Sequence, residues 1–121
     1  MSDHELLELA AKAAGVALYW SDDDPECDWV QGTYPRIPDY KVLEKWTWKV
    51  WNPLTDDGDA LRLAVGLGIR IRPMPGFGDD CVLCSADHKN AWAQEPFASD
   101  PYAATRRAIV KAAAEIGRSM T

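Results

Sequence analysis

The stretch Trp51-Asn52-Pro53-Leu54-Thr55-Asp56-Asp57-Gly58-Asp59-Ala60-Leu61-Arg62-Leu63-Ala64-Val65-Gly66-Leu67-Gly68 sets the expected fold of this chain. Thr55 can cap a helix with its hydroxyl, and Asp56, Asp57 and Asp59 put negative charge beside the N–H groups that a first turn leaves unpaired. Gly68 suits the left-handed residue on which helices stop. Ala60, Leu61, Leu63, Ala64, Val65 and Leu67 leave only a narrow polar strip at Asp59, Arg62 and Gly66, which predicts burial over most of the circumference. The expectation is an interior helix around which the other elements wrap.

Downstream, Ile69-Arg70-Ile71-Arg72 alternates as a short strand until Pro73-Met74-Pro75-Gly76-Phe77-Gly78 breaks it. Cys81-Val82-Leu83-Cys84 and Asn90-Ala91-Trp92-Ala93 flank the polar turn Ser85 to Lys89 and predict an antiparallel hairpin. Asp100 then caps, Pro101 takes the first helical position, and Tyr102, Thr105, Ile109, Ala112 and Ile116 recur at helical spacing up to Gly117.

Upstream, Trp46, Trp48 and Val50 alternate with Lys45, Thr47 and Lys49 as a half-buried strand. Ser2 and Glu5 stand in a capping-box relation before Leu6, Leu9, Ala10 and Ala13, which predicts a first helix to about Gly15, with Glu8 and Lys12 paired on its wet side. Residues 21–41 carry Asp22-Asp23-Asp24-Pro25, Gly32, Pro35 and Pro38, with Trp29, Tyr34 and Tyr40 among them. Such a density of turn formers predicts a long acidic and aromatic loop. The fold class is therefore α+β: a small layered sandwich over residues 1–121, a single domain with a mainly antiparallel sheet of about four strands and three helices in the order α-β-α-β-β-β-α.

The composition, 47% hydrophobic and 26% charged over 121 residues, suits one globular domain. Nineteen acidic against thirteen basic residues give a net charge of −6, which disfavours a nonspecific grip on nucleic-acid phosphates and favours a basic partner. No run approaches the roughly 20 apolar residues of a membrane span, and no basic-then-apolar leader opens the chain, so a cytoplasmic protein is expected. Cys27, Cys81 and Cys84 cannot all pair within one chain, and free thiols are the simpler expectation.

Three segments together resemble small phage and prophage proteins of the phage ABA sandwich domain type. They are Leu6 to Gly15, the W-N-P-L-T-D-D-G-D-A-L-R-L-A-V run from Trp51, and the alanine-rich helix opened by Asp100-Pro101. The resemblance implies a layered α and β architecture and a phage or prophage origin, and brings no catalytic residue with it. Gly66 departs from that pattern, where relatives tend to carry a longer polar residue, and softens its helix by about 1 kcal/mol relative to alanine.

Several constellations have both a chemical and a structural reading. Cys81, Cys84, His88 and Cys27 are zinc-ligand types, yet residues three apart in a strand face opposite ways, so buried hairpin thiols are expected instead. That geometry also argues against a redox pair. Trp46, Trp48 and Trp51 could form a stacking platform, but a shared strand face beside a buried helix favours packing. Capping accounts for Asp56, Asp57 and Asp59, and neither they nor Asp22 to Asp24 show calcium-loop spacing. Arg106, Arg107, Lys111 and Arg118 read as a solvated face, with Lys111 paired to Glu115. His4 and His88 stand outside any catalytic motif, so neither a catalytic residue nor a cofactor is assigned.

The expected function is protein binding by a phage or prophage accessory protein that modulates a host or defence protein. Asp22, Asp23, Asp24, Trp29 and Tyr34 are the candidate contacts, because their loop is the one long segment that the core does not explain. Mimicry of nucleic-acid charge is a variant of this reading that requires the acidic residues to cluster. A virion or morphogenesis component is the alternative, and a small hydrolase would require a pocket joining His88 to Asp80 or Asp87. Exposed sheet edges make a homodimer a further expectation.

Overall fold

The computed structural model describes residues 2–21, 34–39, 47–74, 80–87 and 90–120. The chain is α+β, with the order α1 (Asp3–Ala14), β1 (Tyr19–Ser21), β2 (Tyr34–Asp39), β3 (Thr47–Val50), α2 (Asp57–Leu67), β4 (Arg70–Met74), β5 (Cys81–Ala86), β6 (Ala91–Pro96) and α3 (Pro101–Ser119). In place of one sheet of about four strands, the described residues form two three-stranded antiparallel sheets, β1-β2-β3 and β4-β5-β6. The first occupies part of the expected loop: Ser21 pairs with Tyr34, and Arg36 to Asp39 pair with Val50 to Thr47. Pro35 and Pro38 conceal β2 in the sequence, since proline argues against a strand with neighbours on both sides.

The helix ends follow local chemistry. The Ser2 side chain accepts the Glu5 N–H, and Gly15 turns left-handed to close α1. Asp56, not Thr55, caps α2 by accepting the Asp59 N–H, because the hydroxyl of Thr55 is turned back toward the Asn52 carbonyl. Asp100 accepts the N–H groups of Tyr102 and Ala103, with Pro101 at the first helical position. Helix α3 runs past Gly117 to Ser119, because that glycine marks a close approach and not a stop.

The interior belongs to α3. Ala104, Ala108, Ile109, Val110, Ala112, Ala113, Ala114, Ile116 and Gly117 are all buried. One side of α3 meets Val82, Cys84, Ala86, Ala91 and Ala93, the helix-facing residues of β5 and β6, and its other flanks take α1 and α2. Helices α1 and α3 run parallel: Arg107 reaches Asp3 at 2.9 Å, Leu9 lies against Gly117, and the Lys12 ammonium donates to the Met120 carbonyl at 2.9 Å. Alanines on both helices permit that approach, and their burial stabilises the pair.

Helix α2 is not the interior rod that its composition suggests. It buries Asp59, Ala60, Leu63 and Ala64, while Leu61 and Val65 are 57% and 74% exposed. The stripe with Ala60, Leu63 and Ala64 is the buried one, and a second apolar stripe at Leu61 and Val65 is left exposed. Gly66 lies on the open side, with nothing within 4 Å of the place that an alanine Cβ would take.

Candidate functional site

The outward stripe of α2 borders a groove whose walls come from three elements. Leu54 to Asp56 make the turn into α2, and Arg106 of α3 clamps it: its Nε donates to the Leu54 carbonyl at 2.9 Å and its Nη1 to Asp57 at 2.7 Å. The clamp holds the start of α2 against α3, and Leu61 and Tyr102 line the same depression. From the other side β4 brings Ile71, which pairs across the ladder with Cys84 and so faces the helices. Ala60, Leu61, Ile71, Tyr102, Thr105 and Ile109 then enclose about 210 Å³, rimmed by the Asp57–Arg106 pair. The lining is predominantly apolar, yet Tyr102 is 73% exposed and Ile71 37%. No nucleophile–base pair is found among the described residues that line this open depression.

The residues singled out in the sequence fall elsewhere. Asp22, Asp23, Asp24, Trp29, Cys27, Trp46 and His88 lie outside the described residues, and Tyr34 opens β2 opposite Ser21. Trp51 is buried and belongs to the core, as the packing reading expects. Cys81 and Cys84 stand three apart on β5, with Cys84 opposite Ile71 and Ala93 on the helix side and Cys81 opposite Met74 and Pro96 on the other. Among the described residues no three metal-ligating side chains converge. Asp59 and Asp57 are engaged with Arg62 and Arg106. The basic face of α3 is spent on contacts between elements: Arg106 on Asp57, Arg107 on Asp3, and Lys111 on Glu95 of β6. The expected Lys111–Glu115 pair gives way to Lys111–Glu95, and Glu115 holds Arg118 at 3.1 Å.

Burial pushes the Cys84 thiol from 9.0 up to about 11. The folded state therefore favours the neutral thiol; the stability this contributes is full below pH 9 and is lost as pH rises through 11. Native protein treated with iodoacetamide near neutrality should leave Cys84 unmodified in peptide mass spectra, and denatured protein should be labelled there. Labelling of Cys84 at equal rates in both states would contradict its burial.

Comparison of the chain with protein-family models, with curated proteins and with solved structures gives no match in any of the three. Among the described residues no helix is long and apolar enough to cross a membrane. The groove is the feature that sequence reading missed. Its signal was present in α2, where Leu61 and Val65, four apart, lie off the stripe made by Ala60, Leu63 and Ala64.

Proposed function

We propose that this chain works by binding another protein, with the groove between α2, α3 and β4 as the contact. Its resemblance to phage ABA sandwich proteins supports an accessory role of phage or prophage origin, with a host or phage protein as the partner. The observation that carries the reading is the gathering of Leu61, Ile71 and Tyr102, all exposed, around one apolar depression, with exposed Val65 one turn further along α2. Water contact over such a patch is a cost that a partner would remove, at roughly 25 cal/mol per Å² of apolar surface covered.

A photo-crosslinking residue at position 65 tests this. The wild-type background should give one discrete crosslinked species in host lysate, and Leu61→Asp together with Tyr102→Ser should abolish it while helix content is unchanged. A species that survives the groove changes but disappears when Asp22, Asp23 and Asp24 become asparagine would move the contact to the acidic segment and overturn the groove assignment.

A further inference from the structure

Strand β4 ends its sheet, and among the described residues its only ladder partner is β5. Its side chains divide by parity. Ile71 and Pro73 lie opposite Cys84 and Val82 and face the helices, whereas Arg70 and Arg72 lie opposite Ser85 and Leu83 and face away. Proline is accommodated within a strand where the N–H it lacks would point away from the neighbouring strand. The same parity then turns the N–H and carbonyl of Ile71, and the carbonyl of Pro73, toward the open edge. An apolar groove and a row of backbone groups without a ladder partner among the described residues thus lie side by side, joined at Ile71.

We propose that this edge takes up an extended segment of the partner protein as a fourth strand, with apolar and acidic residues alternating along it. This rests on the reading of the groove as a protein-binding face. A strand added beside β4 places the residue opposite Ile71 on the helix side, over Leu61 and Tyr102, and the residues opposite Arg70 and Arg72 on the far side. Arg70 is held by Asp87 at 2.7 Å, and Arg72 forms no ion pair among the described residues, so Arg72 is the cation that selects an acidic side chain. A second copy of this chain is a poorer occupant. Two β4 strands paired antiparallel about Ile71 set each Arg70 against the other copy's Arg72, and like charges directly opposite are destabilising.

The test uses a labelled short peptide that alternates valine and glutamate, its counterpart with lysine for glutamate, an N-methylated form of the first, and an amphipathic helical peptide, each titrated against the full chain by fluorescence anisotropy. The valine–glutamate peptide should bind saturably. N-methylation, the lysine exchange and Leu61→Asp should each weaken it by about tenfold or more, equivalent to roughly 1.4 kcal/mol. Arg72→Glu should reverse the preference between the glutamate and lysine peptides. Leu61 and Arg72 are exposed, so these variants keep the fold, and the N-methylated peptide needs no change in the protein. Binding that ignores N-methylation or Leu61→Asp would overturn strand addition, as would no binding by the alternating peptide. Leu61-dependent binding of the helical peptide alone would overturn it and leave the groove standing as a protein-binding face.

Discussion

Replacing Gly117 with alanine is expected to destabilise the protein by about 3 kcal/mol, at the upper end of what overpacking usually costs. A Cβ at this position would overlap the carbonyl oxygen of Leu9 and lie 2.8 Å from its carbonyl carbon. Both are backbone atoms, so no rotamer change relieves the clash. Helix α1 would have to move away, and it is fastened at both ends by Asp3 to Arg107 and by Lys12 to the Met120 carbonyl. At roughly 4 °C per kcal/mol for a chain of this size, the thermal midpoint should fall by about 12 °C. Gly66→Ala is the matched control. It is exposed, open on all sides and helical, and should stabilise by about 1 kcal/mol. Equal midpoints for the Gly117 variant and the wild type would show that the two helices are not in contact there.

Removing the Asp59 carboxylate should cost about 2 kcal/mol. This residue is 9% exposed and organises the entry to α2: Oδ2 accepts the Asn52 N–H at 3.0 Å and Oδ1 accepts from Arg62 at 2.8 Å. In Asp59→Ala the Asn52 N–H loses its acceptor in a part-buried place, and that loss makes up most of the cost. The share from Arg62 is small, since its side chain is 72% exposed and water screens the pair. Asp59→Asn keeps an acceptor for Asn52 and should recover about half of the loss in urea titrations. Equal destabilisation by Ala and Asn would mean that the charge matters more than the backbone bond. Because the same turn is clamped by Arg106 and borders the groove, Asp59→Ala should also weaken the valine–glutamate peptide.

Local signals in the sequence carried well into the structure. Ser2, Gly15, Gly68, Asp100 and Pro101 mark helix ends as expected, and the β5–β6 hairpin extends the pairing that the alternation suggested. The burial of α2 differs from its expectation because composition states what a helix would gain from being covered and not whether a neighbour is present. Leu61 and Val65 look like core in sequence and are surface in space. β2 was hidden by its prolines, and the role of Gly117 by the resemblance of any late helical glycine to a terminator. The groove was legible only on its α2 side, at Leu61 and Val65, for a related reason: it joins residues from α2, β4 and α3, and local periodicity does not encode which helix flank meets which sheet edge. The acidic candidates from Asp22 to Asp24 and Trp29 lie outside the described residues.

The parallel pairing of α1 and α3 bears on the order in which this molecule assembles. The Leu9–Gly117 and Lys12–Met120 contacts each join positions 108 apart in sequence. On a ribosome, the apolar flank of α1 therefore emerges long before the helix that will shelter it. Closing so wide a loop carries an entropic cost, although one that grows only slowly with its length. Truncation within α3 would thus strand Leu6, Leu7, Ala10 and Ala11 in water, turning a shortened product into a client for chaperones or proteases.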